Sequence, residues 1–164
     1  MKILYLLRHA KSSWNNPKLD DFERPLNKRG HYDAPLMGNL MEKLNILPDL
    51  IISSPAIRAA MTTRFIADPI NYPLNKIHYN ENIYDAGESQ LLDIIYSVND
   101  SIKKLMLVGH NPSFTYFAHF LAKFDVNNIP TCGLFGAELN IASWLKIKKN
   151  CGKVILYEYP KKHK

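Results

Sequence analysis

Two histidines and two arginines occupy positions where a nucleophile and its anion-binding partners could meet. Arg8 and His9 follow an apolar run near the start of the chain, Arg58 comes shortly after a second run, and His110 comes directly after another. A neutral imidazole can attack phosphorus and depart again, and a guanidinium fork can bind two phosphoryl oxygens at once. These residue types favour phosphoryl transfer, in which positioning and charge stabilisation supply most of the catalysis.

Each of the four residues, taken alone, has an ordinary structural explanation. An Arg-His pair can end a strand without any chemistry, an arginine early in a helix often forms a surface ion pair, and His110 could complete a turn within Gly-His-Asn-Pro. The remaining histidines lack such positions and are expected to be structural or exposed: His31, His78, His119 and His163. The shared placement of the four candidates after three predicted strands is what favours a site.

The elements that must position these residues alternate between strands and helices. Short apolar runs predict strands over Ile3–Leu7, Leu50–Ile52, Lys76–Tyr79, Lys104–Val108, Glu138–Ile141 and Lys153–Tyr159. Helical spacing of apolar residues predicts helices over about 28–44, 55–67, 88–98 and 113–124. Ser54 is expected to cap the second helix, with Pro55 at its first position.

This alternation predicts an α/β fold, a three-layer α/β/α sandwich around a mostly parallel sheet. In such sheets, ligands bind beyond the carboxyl ends of the strands, where the connecting loops converge. The chain has 164 residues and shows no internal repeat or linker, so we expect one domain over 1–164. Two guanidiniums and two imidazoles are thereby predicted to lie at one edge of the sheet.

Composition narrows the class of partner only slightly. The formal net charge is +6, and part of this excess lies in a basic tail over about 160–164 that we expect to be solvated and frayed. No run is long and apolar enough for a membrane span, and the first residues lack the features of a signal peptide. The two cysteines form neither a disulfide framework nor a metal-finger spacing. We therefore expect a cytoplasmic protein with free thiols.

The motifs around the four candidates resemble those of the histidine phosphatase superfamily, which has the phosphoglycerate mutase-like fold. Leu-Leu-Arg-His-Ala is similar to its Arg-His-Gly signature, with Ala10 in place of the commoner glycine. Ser-Ser-Pro-Ala-Ile-Arg-Ala-Ala-Met-Thr is similar to the segment carrying its second arginine, and Gly-His-Asn-Pro to the segment carrying its second histidine. The segment Arg24–Gly30 and the short length resemble the branch containing the phosphohistidine phosphatase SixA.

The resemblance implies a phosphatase without metal or cofactor that forms a phosphohistidine intermediate on His9. Arg8, Arg58 and His110 would bind the phosphoryl group, and the substrate would be a phosphohistidine protein or a small phosphate ester. Larger members carry a helical insertion that covers the site and supplies a proton donor, for which this chain has little room. Glu81 is the candidate donor, since Glu-Asn-Ile-Tyr resembles the Glu-x-x-Tyr segment of the mutases, with Asp85 and Glu88 as competitors.

Three other functions have to be weighed against a phosphohistidine phosphatase. A general phosphomonoesterase of the same superfamily cannot be separated from it by sequence. A metal-dependent hydrolase would need ligand spacings that the sequence lacks, and two arginines would repel a cation. A nucleic-acid binder could use the basic last third, but its aromatic residues fall on predicted strands and are expected in the core. The cysteine-phosphatase loop is absent, because the segment after Cys132 has no arginine.

Overall fold

The computed structural model describes residues 1–164 and places one six-stranded sheet at the centre of the molecule. The strands are β1 Lys2–Arg8, β2 Leu50–Ser53, β3 His78–Tyr79, β4 Lys104–Gly109, β5 Leu134–Leu139 and β6 Gly152–Glu158. The helices are α1 Lys28–Lys43, α2 Ile57–Ala67, α3 Glu88–Tyr96 and α4 Ser113–Ala122. Short 3-10 turns occupy Asp21–Glu23, Leu74–Lys76, Glu81–Ile83, Trp144–Lys146 and Pro160–His163.

The sheet has the strand order β3-β2-β4-β1-β5-β6. The first four strands run parallel to one another, whereas β5 pairs antiparallel with β1 and β6 pairs antiparallel with β5. The prediction of a mostly parallel sheet is therefore confirmed. The antiparallel pairs occupy one side of the sheet only, next to β1.

Alternating side chains of the central strands pack into two separate hydrophobic cores, one on each face of the sheet. Leu4 and Leu6 of β1 pack in a cluster of 21 buried residues with α3 and α4. Tyr5 and Leu7 point the other way, into a cluster of 16 buried residues with α1 and α2. Because strand side chains alternate with a period of two, a continuous apolar run such as Leu4–Leu7 has to be covered on both faces. The molecule is thus a three-layer α/β/α sandwich.

One edge of the sheet gathers the ends of most strands. β1, β2 and β4 finish there, so the residues that follow them emerge side by side. The register places Leu7 opposite Leu134 and Leu134 opposite Glu158, so the start of β5 and the end of β6 lie at the same edge. We call this side of the molecule the carboxyl edge.

Several predicted boundaries differ from the observed ones. The second helix begins at Ile57 rather than Pro55, and Ser54 does not cap it, because its hydroxyl is bonded to Ala56 N–H and to His110. The fifth strand starts at Leu134 instead of Glu138, since Gly136 weakens the strand signal yet fits where the ring of Tyr5 packs. The third strand is shorter than predicted, because its first part is the turn Leu74–Lys76.

The basic tail also differs from its prediction. Instead of fraying, residues Pro160–His163 form a 3-10 turn, and Lys164 lies 2.7 Å from the buried Asp33 of α1. No helix in the structure combines the length and apolar character that crossing a membrane requires.

Candidate active site

His9 lies directly after β1 and is 7% exposed. Its backbone N–H donates to the carbonyl of Gly109 on β4, which fixes the residue between the two central strands. The ring Nδ1 lies 2.7 Å from the carbonyl oxygen of Ala10. A carbonyl only accepts, so Nδ1 carries the proton and Nε2 is left with a lone pair.

Burial reinforces this protonation state. The pKa of His9 is lowered to about 3, mainly by desolvation, and the neighbouring His110, Arg58 and Arg8 lower it further against the opposing effect of the Ala10 carbonyl. The imidazole is consequently neutral at physiological pH. A neutral ring with Nε2 free is the form that can act as a nucleophile.

Arg58 reaches His9 from the second residue of α2. Its Nε lies 3.4 Å from His9 Nε2 and donates toward the lone pair. The Arg58 carbonyl accepts a hydrogen bond from Thr62 Oγ, which in turn accepts one from the N–H of Ala10. This chain of bonds ties the first turn of α2 to the residue that follows His9. Arg58 and His9, which are 49 residues apart, are therefore held in one rigid arrangement.

His110 follows β4 and stands beside His9, with ring centroids 5.2 Å apart. Its Nε2 is 2.8 Å from Ser54 Oγ, and the edge of Tyr84 packs against its ring. Desolvation, followed by the positive charge of Arg58, lowers the pKa of His110 to about 4. Gly109, the residue before it, is required by close packing, since a Cβ there would come within 2.7 Å of Ile83 and Phe114.

Arg8 completes the set predicted from the sequence. Its guanidinium donates to the carbonyl of Ile129 at 2.8 Å, and burial lowers the pKa of the side chain. Arg8 Nε and His110 Nδ1 are both buried without a protein hydrogen-bond partner. Buried polar groups are normally satisfied, and leaving one unpaired costs about 1–3 kcal/mol. Two such atoms in one site suit a ligand with several oxygens.

Asp21 is a site residue that sequence reasoning did not single out. Its Oδ2 accepts hydrogen bonds from Arg58 at 2.9 Å and from the hydroxyl of Tyr84 at 2.5 Å, and its backbone carbonyl also accepts from Arg58. Its Oδ1 accepts from Arg24 at 3.0 and 3.2 Å. Burial works to raise the pKa of Asp21, but the bonds from Tyr84, Arg24 and Arg58 outweigh it and hold the pKa far below its usual range. Asp21 is therefore a carboxylate, not a carboxylic acid.

Arg24 is the residue that secures this carboxylate. It is 7% exposed, donates to Ser12 Oγ at 2.6 Å and lies with its guanidinium 3.5 Å from the ring centre of Trp14. Arg24 and Pro25 belong to the segment that carried part of the family resemblance. That segment was the only feature of the sequence that could have drawn attention to Asp21, which lies three residues before Arg24. Tyr84 lies at the fourth position of Glu-Asn-Ile-Tyr, the segment that suggested Glu81.

The Glu81 side chain forms no hydrogen bond or ion pair with the four predicted residues. Glu81 begins the 3-10 turn Glu81–Ile83, is exposed, and its side chain makes no hydrogen bond or ion pair. Asp85 and Glu88 are likewise exposed and unpaired. Tyr84 is the residue of this segment that reaches the site. No three His, Cys, Asp or Glu side chains are grouped as a metal site would require.

Comparisons with known proteins relate the chain to one superfamily and one fold. Residues 4–83 match the model of the histidine phosphatase superfamily (branch 1). An uncharacterized chloroplastic protein of Arabidopsis thaliana is 33% identical over 138 residues, which cover 79% of this chain and 62% of that protein. The match therefore spans less than two thirds of that relative's length.

Two solved structures have the same fold over nearly the whole chain. A candidate phosphohistidine phosphatase SixA from Agrobacterium tumefaciens is 29% identical, with a TM-score of 0.83 and 97% of this chain and 98% of that chain covered. The protein histidine phosphatase SixA in complex with tungstate is 18% identical, with a TM-score of 0.82 and 99% of each chain covered. At 18% identity, the second likeness concerns the fold alone.

Proposed function

We infer that this chain belongs to the histidine phosphatase superfamily, whose model matches residues 4–83, and on that premise we propose that it hydrolyses a phosphoryl group through a covalent intermediate on His9. One observation carries the proposal. The Nδ1–H of His9 is held by the Ala10 carbonyl, so the lone pair on Nε2 faces the guanidinium of Arg58. A fixed tautomer beside an anion-binding group is the arrangement that a phosphorus nucleophile needs.

The reaction has two displacement steps. In the first, the Nε2 lone pair of His9 forms a bond to phosphorus, and the bond to the leaving group breaks with its electron pair. In the second, water forms the new bond to phosphorus, the bond to Nε2 breaks, and the ring regains its lone pair as inorganic phosphate departs. The proton lost by the water passes to solvent.

The other predicted residues would stabilise the transferring group. Arg8 Nε and His110 Nδ1 are buried polar atoms that a phosphoryl oxygen could satisfy. Arg58 would exchange its bonds with Asp21 for bonds to the phosphoryl group, since an oxyanion and the carboxylate compete for the same N–H groups. Charge on the equatorial oxygens would then be shared by two guanidiniums.

Phosphohistidine on a protein is the substrate class that we propose. The carboxylate that lies inside the site is Asp21, and the four side-chain hydrogen bonds that it accepts keep it ionised, which makes it a poor proton donor. An alkoxide leaving group needs a proton from a positioned acid. A phosphohistidine ring can take up its proton from solvent at the distal nitrogen and depart as neutral imidazole. The alternative is a general phosphomonoesterase acting on small esters.

We further propose that catalysis needs no metal and that the protein is cytoplasmic. The guanidiniums of Arg8 and Arg58 flank the imidazoles and would repel a cation. Cys132 and Cys151 are free thiols, which suits a reducing compartment. Full activity in the presence of EDTA is the expected result, and competitive inhibition by tungstate or vanadate would mark the oxyanion site.

The test of the mechanism is a trapping experiment. Wild-type protein quenched during turnover should carry acid-labile phosphate on His9, and His9→Ala should lose about 10⁴-fold or more in kcat/KM, as expected when a nucleophile is removed. Substantial activity of His9→Ala would refute the mechanism. Comparison of a phosphohistidine protein with an alkyl and an aryl phosphate would then separate the two substrate classes.

A further inference from the structure

A pocket lies at the carboxyl edge, next to the candidate active site but separate from it. It has a volume of about 410 Å³ and is lined by Arg29 and Asp33 of α1, by Pro130 and Thr131 before β5, and by Lys161 and Lys164 after β6. Thr131 is covalently joined to Cys132, whose N–H donates to the carbonyl of His9 at 3.0 Å. The same short segment therefore forms a wall of this pocket and supports the nucleophile.

The segment that provides the lysines is pinned in place. Lys162 donates to the carbonyl of Tyr157, His163 lies 2.7 Å from Glu158, and Lys164 pairs with Asp33, a carboxylate that is only 3% exposed. Pro160 is buried. Three of the four basic residues here thus have a structural partner.

Lys161 is the exception. It makes no hydrogen bond or ion pair and is exposed at the pocket. Arg29 lines the same pocket with a side chain that is 56% exposed and that makes only a long bond of 3.3 Å to Thr131 Oγ and a 3.9 Å pairing with Asp33. Three cations and one carboxylate line the pocket, which leaves two positive charges in excess. Such a cavity favours an anionic group.

The position of the pocket relates it to the phosphoryl site. Glu158, the last residue of β6, pairs with Leu134 of β5, and Leu134 pairs with Leu7 of β1. Glu158 and Leu7 therefore lie at the same height in the sheet. The two strands are separated by β5 alone, a distance of about 10 Å at the usual strand spacing. An extended peptide rises about 3.3 Å per residue, so about three residues bridge that distance.

We propose that this pocket is an accessory subsite that binds an acidic side chain of a phosphoprotein substrate, about three residues from the phosphorylated one. The inference rests on the proposed function, because it assigns the substrate's flanking group to a surface next to the same site. Lys161 and Arg29 are its binding residues, and Asp33 positions the segment that carries Lys161.

The test uses phosphohistidine peptides of equal length that differ in a single residue, glutamate or glutamine, three positions from the phosphorylated histidine. Wild type is expected to favour the glutamate peptide by about two- to five-fold in kcat/KM, the range of an exposed ion pair, through KM and not kcat. Lys161→Ala should remove this preference, and Lys161→Glu should reverse it. The matched control is Lys148→Ala, which removes another exposed charge, located before the start of β6 at the opposite end of that strand, and should keep the preference.

A small aryl phosphate separates failure of the subsite from failure of the function. Equal rates on both peptides with normal aryl phosphate hydrolysis would overturn the subsite alone. An equal loss of preference in Lys148→Ala would overturn it too, because bulk charge would then be responsible. Inhibition by an RNA oligonucleotide that exceeds inhibition by the glutamate peptide, and that Lys161→Ala abolishes, would replace the acidic peptide with nucleic acid. No aryl phosphate hydrolysis at all would refute the proposed function itself.

Discussion

The two sides of the candidate site are built differently. On the nucleophile side, His9 and His110 are each 7% exposed, lie at the ends of neighbouring central strands, and are held by backbone bonds. On the solvent-facing side, which we call the mouth, the Asp21 side chain is 49% exposed. It lies in a 3-10 turn and is bound by the side chains of Arg24, Arg58 and Tyr84. The histidines, which need fixed positions for catalysis, thus lie at the ends of rigid strands. Asp21, which can move when a substrate binds, lies in a loop.

This contrast predicts that conservative changes are tolerated at the mouth but not near the nucleophile. The loss of the nucleophile in His9→Ala is the largest expected effect.

Arg58 links the two sides, and its exact fork geometry should matter. Arg58→Lys keeps the charge but loses the planar fork, so we expect a loss of about 30- to 1,000-fold in kcat/KM, equivalent to about 2–4 kcal/mol of transition-state stabilisation. Steady-state kinetics on an aryl phosphate would measure it. The control is Arg64→Lys, an arginine near the end of the same helix. Near-normal rates for Arg58→Lys would mean that Arg58 does not hold the phosphoryl group.

The buried histidines should make the protein sensitive to acid. Burial lowers the pKa of His9 to about 3 and of His110 to about 4, whereas an unfolded histidine titrates near 6.5. Below pH 6.5 the unfolded chain binds more protons than the folded one, so the free energy of unfolding must fall as the pH falls. The loss between pH 8 and pH 5 should be about 2 kcal/mol for each histidine.

Urea denaturation at pH 8 and pH 5 would measure this loss. His110→Gln should show a decline smaller by about 2 kcal/mol, because one contributing group is gone. His31→Gln, at an exposed position on α1, serves as the control and should decline like wild type. A decline that is the same in His110→Gln and in wild type would contradict the buried, neutral state of His110.

Asp21 should compete with the ligand for Arg58. Asp21→Asn removes the charge that an incoming oxyanion has to displace, so inorganic phosphate or tungstate should bind about two- to five-fold more tightly, the value of a half-exposed ion pair. Inhibition constants would show the change, with Asp20→Asn as a neighbouring control. Weaker binding in Asp21→Asn would instead mean that Asp21 orients Arg58 for the ligand.

Glu81 is expected to give the smallest effect. Its side chain is exposed and unpaired, so Glu81→Gln should change the hydrolysis of alkyl phosphate, aryl phosphate and phosphohistidine by no more than about two-fold. A selective loss on the alkyl phosphate would establish Glu81 as the proton donor after all. An equal loss on all three substrates would indicate a structural role.

The sequence alone determined the sheet, its two helical layers and the positions of Arg8, His9, Arg58 and His110. These features follow from local signals, because a buried parallel strand needs a continuous apolar run and its ligand-binding residues come directly after it. The turn over Pro160–His163 gave no such signal, and the only signal for Asp21 was an indirect one, the Arg24-Pro25 motif three residues later. A basic tail and an acidic loop look the same in sequence whether they are solvated or docked.

Only the tertiary structure decided which charges meet. Asp21 is 37 residues from Arg58 and 63 from Tyr84 along the chain, and Lys164 meets Asp33, which lies 131 residues earlier. Likewise, the tautomer of His9 depends on one carbonyl orientation, and the role of Ser54 changed from helix cap to partner of His110. Hydrogen bonds and ion pairs depend on distances of a few tenths of an ångström, which the folded chain sets and residue order does not.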